Sequence, residues 1–345
     1  MKAAVLLLAS LTLPAAQSAP PPEPVTALAF SPDGAWLVSG GYNQALVWNG
    51  STGKLARKIP GLPGRVRSLA FSPDGKLVAA AGGMAGQSGA AVLVDFSTGA
   101  VTPLATIKDE MLAVAFSPDG KLVAAGGANN VAQVWTVADA KPVATLSEHT
   151  GWITGLAFSP DGKLLATSSA DQRVRVWFTA TWKSDFVLPE PTAGMVTGVA
   201  FAPEGDFLAF SVAGEDEHTI RTWKPQNAFV EPDPNRPNLH ATLVQTRPID
   251  TGGCVPLAVA FFNAPKPAKG ATPHSRILTA CDDHSVRLIG TGGNTVSTRP
   301  SHADWVYAVA PAADGVRYAT GGGDGAIKIW GAADKPLFTL AEEPK

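Results

Sequence analysis

The sequence predicts an all-β chain folded as a seven-bladed β-propeller of four-stranded antiparallel blades. Three observations predict it. A block of the form apolar-x-x-apolar-Ala-Phe-Ser-Pro-Asp-Gly recurs along the chain. The order of apolar runs and polar turns after each copy is the same. The composition, with 35 Gly and 29 Pro in 345 residues, is rich in residues that end strands and build turns.

The block runs from Val25 to Gly34, Val66 to Gly75, Met111 to Gly120 and Ile153 to Gly162. A looser copy spans Val196 to Gly205, and two worn copies follow at Leu257 to Phe261 and Val306 to Gly315. Between Phe30, Phe71, Phe116, Phe158, Phe201, Phe261 and Pro311 the steps are 41, 45, 42, 43, 60 and 50 residues. A period in the low forties built of short strands is a propeller-blade signature. After the Pro-Asp-Gly turn comes a second apolar run, as in Leu164-Leu165-Ala166-Thr167, then the polar turn Ser169-Ala170-Asp171-Gln172. A third run, Val174-Arg175-Val176-Trp177, precedes another turn and a fourth strand. Each unit is therefore a meander of strands a to d. The first is small and apolar on both faces because it lies between neighbours. The third run ends in Trp at Trp48, Trp135, Trp177, Trp223 and Trp330, with Val94 and Ile289 in the other two units.

Ahead of the repeats, Lys2 is followed by the apolar and small-residue run Ala3 to Leu13, the breaker Pro14 and the small residues of Ala16-Gln17-Ser18. This is the pattern of a secretory signal peptide, residues 1–18, cut near Ser18–Ala19. Residues 19–345 then form a single propeller domain. Export to the periplasm or the cell exterior is expected, with no integral membrane segment in the mature chain. A hydrophobic fraction of 45% allows a large core, and a net charge of −2 gives no bulk attraction to nucleic acid or anionic lipid.

The repeats resemble the WD40 repeat family across about residues 24–341. Val92-Leu93-Val94-Asp95-Phe96-Ser97-Thr98-Gly99 matches the family's end-of-strand pattern with Val in place of Trp. The resemblance implies a hydrogen-bonded Asp-His-Ser/Thr-Trp tetrad, complete in two units. In the fourth it would be Asp171, His149, Thr167 and Trp177. In the seventh it would be Asp324, His302, Thr320 and Trp330. Asp, His and Thr together suggest a hydrolase triad, but these residues recur with blade position and end on an indole donor, the pattern of a structural network. Residues 336–340 supply the last strand of the seventh unit, so the ring is expected to close by face packing with little strand exchange.

The resemblance also implies a rigid interaction platform with a binding surface on its top face. The residue six before each Phe position opens strand a there: Pro24, Arg65, Glu110, Trp152, Met195, Val255 and Trp305. Two positions on come Thr26, Arg67, Leu112, Thr154, Thr197, Leu257 and Tyr307. From these, Trp152, Trp305, Tyr307, Arg65, Arg67, Glu110 and Met195 are the candidate partner-binding residues, because aromatics and Arg dominate binding hot spots. Two long loops, Lys224 to His240 and Phe262 to Ser275, would lie together on the bottom face. They carry Phe229, Glu231, Asp233, Arg236, His240, Lys266, Lys269 and His274 as an alternative patch.

Cys254 precedes strand a of the sixth unit and Cys281 ends its strand b, which brings both to the top face. An oxidising compartment would join them in a disulfide. Asp216-Glu217-His218 and Asp282-Asp283-His284 give too few convergent ligands for a metal, and no cofactor motif is present. The expected function is a non-catalytic, monomeric scaffold for a protein or peptide partner, without cofactor or nucleic acid. The alternative is a lactonase-like hydrolase or small-ligand receptor at the channel mouth, which would need convergent acids there.

Overall fold

Alternating small apolar residues and Gly-bearing turns disfavour helix, and the described residues fold as antiparallel strands joined by turns. The computed structural model describes residues 22–187, 192–205, 207–215, 217–223, 247–262, 275–290, 295–331 and 335–340. The expected signal peptide, Asp216 and the bodies of the two long loops lie outside them.

Repeat 1 is β1 (Leu28–Phe30), β2 (Trp36–Gly40), β3 (Tyr42–Asn49) and the first part of β4 (Leu55–Phe71). Repeat 2 is the rest of β4 with β5 (Leu77–Met84), β6 (Ser88–Asp95) and β7 (Val101–Ile107). Repeat 3 is β8 (Met111–Phe116), β9 (Leu122–Gly127), β10 (Ala132–Thr136) and β11 (Pro142–Leu146). Repeat 4 is β12 (Ile153–Phe158), β13 (Leu164–Ser169), β14 (Val174–Phe178) and β15 (Ser184–Val187). Repeat 5 is β16 (Gly194–Phe201), β17 (Leu208–Gly214), β18 (His218–Trp223) and β19 (Arg247–Asp250). Repeat 6 is β20 (Pro256–Phe262), β21 (Arg276–Cys281), β22 (Ser285–Gly290) and β23 (Thr295–Pro300). Repeat 7 is β24 (Val306–Pro311), β25 (Tyr318–Gly322), β26 (Ile327–Trp330) and β27 (Pro336–Leu340). Neighbours in every sheet pair antiparallel, and the long β4 joins repeats 1 and 2 into one sheet.

The core is not central. Among the described residues, each hydrophobic cluster joins one repeat to the next, because a meander has two faces and alternate side chains point to each. The indole ending strand c faces the preceding repeat: Trp177 packs on repeat 3 beside Leu146 and Ala124, and Trp330 packs on repeat 6 beside Leu278 and Leu288. Val94 and Ile289 hold that position in repeats 2 and 6, buried like the tryptophans.

The Ser-Pro-Asp-Gly turns repeat one hydrogen-bond pattern. The hydroxyls of Ser72, Ser117 and Ser159 donate at 2.6 Å to Asp74, Asp119 and Asp161, whose carboxylates accept the N–H of Lys76, Lys121 and Lys163 at 3.1 Å. Gly75, Gly120 and Gly162 take φ of 72°, 70° and 72°, which L side chains resist. The proline of each turn also packs over the next repeat's glycine: Pro32 over Gly75, Pro73 over Gly120, Pro118 over Gly162.

The innermost strands touch in the order β1, β4, β8, β12, β16, β20, β24, and β24 touches β1. The sheet of β24 to β27 comes wholly from the C-terminal part of the chain. Closure is by face packing, with Val25, Leu28 and Trp48 against Ala308, Ile329 and Leu340, plus one backbone bond from Val25 N–H to the Gly322 carbonyl at 3.0 Å. Repeat 7 has Ala313 where the turns of repeats 1 to 5 have proline, and Arg317 does the bridging. Its guanidinium donates to the Gly50 and Gly34 carbonyls at 2.7 and 3.0 Å, steadied by Asp314 at 2.6 Å.

Candidate functional site: the top face

Because every repeat is an antiparallel meander, the d–a and b–c turns emerge at the same end of the strands. That end is the top face. The turns are held from below by buried polar networks, and these differ between repeats.

In repeat 4 the chain of hydrogen bonds is continuous. Trp177 Nε1–H donates to Thr167 Oγ1 at 3.0 Å, Thr167 meets His149 Nε2 at 2.7 Å, and His149 Nδ1 meets Asp171 at 2.7 Å. Asp171 also accepts the Thr150 N–H at 3.0 Å, which pins the top turn to the strand below. Repeat 7 repeats this with Trp330 to Thr320 at 2.9 Å, Thr320 to His302 at 2.8 Å and His302 to Asp324 at 2.9 Å. Burial pushes both histidines below their ordinary pKa and outweighs the neighbouring carboxylate, so the rings are neutral and pass one hydrogen bond to each side. Burial raises Asp171, but bonds from His149 and Thr150 hold it below the usual carboxylate range. Thr167 and Thr320 have no exposed surface, and each hydroxyl is engaged on both sides, by an indole and by an imidazole.

Repeats 5 and 6 lack the histidine; Thr192 and Gly252 stand at its place. The turn acid is held instead by the arginine two residues before the Trp position. Arg221 Nε donates to Glu217 at 2.7 Å, and Arg287 donates to both oxygens of Asp283 at 2.7 and 3.3 Å. For each acid burial is the largest single effect and acts upward, but the arginine together with hydrogen bonds from Ala193 and Thr219, or from Ser285, outweighs it, so both stay below their ordinary values. This exchange of histidine for arginine was not read from the sequence, although Arg175, Arg221 and Arg287 share one register position.

The partner-binding candidates divide. Trp152, Trp305 and Met195 are 54%, 47% and 40% exposed at the top of strand a in repeats 4, 7 and 5. Tyr307 is half-buried with its ring centroid 6.2 Å from that of Trp305. Arg65 pairs with the exposed Glu23 at 3.2 Å. Glu110 is corrected. It is buried and clamped by Arg67, whose Nε and Nη2 donate at 3.0, 2.8 and 3.1 Å, so this pair braces repeat 2 against repeat 3. Threonine hydroxyls brace other junctions: Thr26 to the Val66 carbonyl at 2.8 Å and Thr197 to the Pro256 carbonyl at 2.8 Å. Tyr42, Arg65, Arg67, Met84 and Glu110 line a top-face pocket of about 240 Å³.

Cys254 and Cys281, the expected disulfide partners, are brought together as two buried, unbonded thiols. With the Asp283 carboxylate their sulfurs lie within 4.8 Å of one another. Such a donor set suits a soft cation, but Arg287 already lies against it, with Nη1 2.9 Å from the Cys281 sulfur. The residues expected on the bottom face, Phe229, Glu231, Asp233, Arg236, His240, Lys266, Lys269 and His274, lie outside the described residues. No described helix is long and apolar enough to cross a membrane.

Residues 16–49, 53–87, 102–136, 140–177, 182–224 and 293–331 match the family described as WD domain, G-beta repeat. The matched segments cover more than half of the chain and leave out β6, β19 to β22 and β27, among them the two strands in which Val94 and Ile289 replace Trp. No curated protein matches the chain. The recurring meanders, the tetrads and the matched segments together make this chain a member of the WD domain, G-beta repeat family.

Proposed function

We propose that the chain is a non-catalytic protein–protein interaction scaffold, exported to the periplasm or beyond, that acts as a monomer and holds a partner peptide or loop on its top face. WD40 repeats generally mediate protein–protein interaction, which gives the class. The observation that carries the site is the exposure of Trp152, Met195 and Trp305 on one face. Large apolar side chains left in water on a rigid frame supply hot spots at little ordering cost. Export rests on the sequence from Lys2 to Ser18. A small-ligand receptor has one observation in its favour, the pocket beside Arg65.

Trp152→Ala combined with Trp305→Ala should weaken partner capture by at least about 2 kcal/mol, roughly thirtyfold. The unfolding midpoint should hardly move, since both rings are about half exposed. Capture of the crosslinked native partner at wild-type strength would remove the top face from consideration. A loss produced instead by Arg65→Ala alone, with a small molecule bound, would favour the receptor.

A further inference from the structure

Repeat 6 gathers both cysteines of the chain at the top of one sheet. Cys254 lies just ahead of β20, and Cys281 ends β21 opposite Pro256. The Cys254 and Cys281 sulfurs lie within 4.8 Å of each other, and the Thr251 hydroxyl donates to the Cys254 carbonyl at 2.7 Å. Arg287 reaches the Cys281 sulfur because Gly252, with φ of 68° and no side chain, leaves open the space that a tetrad histidine fills elsewhere; an added Cβ would sit 3.9 Å from Nη2.

A metal ion would have to share this corner with the guanidinium, which already occupies both Asp283 oxygens and one sulfur. A fixed cation beside a thiol has another effect: it stabilises the thiolate. We propose that Cys254 and Cys281 form a reversible dithiol–disulfide couple whose reduced state is held by Arg287. The bond would tie the 251–255 turn to the start of the b–c turn on the top face. Cys254 sits in the 251–255 turn and Cys281 at the end of a paired strand, so local opening of the turn presents Cys254 first, and its pKa is held below the ordinary thiol value.

The oxidant is a disulfide, small or protein-borne. The Cys254 thiolate attacks one of its sulfurs, and the other leaves as a thiolate that takes up the proton Cys254 released. Cys281 then attacks the Cys254 sulfur of the mixed disulfide. The second thiolate leaves and takes the Cys281 proton. Two electrons pass from the protein dithiol to the oxidant, and protons balance.

The test equilibrates the purified full chain in graded mixtures of reduced and oxidised glutathione, quenches with acid, alkylates under denaturing conditions and maps peptides by mass. A single two-electron transition yielding a linked Cys254–Cys281 peptide is expected. Arg287→Gln should move that transition to more reducing mixtures, about tenfold in the exchange constant or about 30 mV. Arg287→Lys keeps the charge and should fall between; it decides the point alone if the Gln variant does not fold. Two fully alkylatable thiols in the most oxidising mixture would overturn the couple. So would a glutathione adduct on one cysteine without a linked peptide, or stoichiometric zinc retained on both. A midpoint unmoved by either Arg287 variant would overturn the role of Arg287.

Discussion

Repeats 4 and 6 solve one problem with different chemistry. Each must hold its b–c turn acid, Asp171 or Asp283, against a strand packed between neighbours. Repeat 4 uses a relay that crosses the sheet from the Trp177 indole to the carboxylate. Repeat 6 has Ile289 and Gly252 in place of the relay's indole and imidazole, and Arg287 holds the acid from strand c. Its hydroxyl, Thr279, turns away and donates to the Ala258 carbonyl at 2.9 Å. The relay is buried throughout, so its members depend on one another. The arginine pair has one half-exposed partner, with the Asp283 side chain 40% exposed, and should tolerate loss better.

The largest expected difference follows. Thr167→Val removes the hydroxyl that serves both the Trp177 indole and His149 Nε2, leaving two buried polar atoms without a partner. That should cost about 3 kcal/mol in urea unfolding. Thr279→Val loses one bond and should cost about 1 kcal/mol. Equal costs would mean that the relay is no more cooperative than an isolated hydroxyl.

A second comparison uses the strand c arginines. Arg175 donates to Glu148 at 2.8 Å, and that glutamate is 48% exposed. Arg221 donates to Glu217, a pair with side chains 16% and 12% exposed. Arg175→Met should change stability by less than about 0.5 kcal/mol. Arg221→Met strands a mostly buried carboxylate and should cost about 2 kcal/mol. A large effect at Arg175 would show that the tetrad repeats also lean on this arginine.

The propeller class was legible because the Phe-Ser-Pro-Asp-Gly turn is local chemistry: serine, aspartate and a positive-φ glycine satisfy one another within a few residues. The tetrads were legible for a related reason. Their members recur at fixed offsets, His149 and His302 each 18 residues before the threonine they meet. What escaped depends on which of several nearby partners a side chain takes. Arg175, Arg221 and Arg287 are equivalent in register yet pair with Glu148, Glu217 and Asp283. Glu110 was read as a docking group because nothing local announces that Arg67, one repeat earlier, covers it. Cysteine spacing brought the two thiols together but carried no information about Arg287 beside them.

The smallest effect separates the two kinds of repeat by proton uptake. Burial holds His149 and His302 below the ordinary histidine value, so on acidification the unfolded chain takes up these protons first. Their stabilisation is therefore complete above about pH 6.5 and declines as pH falls through the folded-state values, by at most about 1.4 kcal/mol per unit for each ring. Glu217 and Asp283 are also depressed, but as carboxylates they withdraw support only below about pH 4. Amide exchange, corrected for its intrinsic pH dependence, should lose protection in β13, β14, β25 and β26 between about pH 6.5 and 5.5 while β17, β18, β21 and β22 hold theirs. A uniform loss across all repeats would show instead that the ring opens as one cooperative unit, with the stability of each network shared through the junctions on either side.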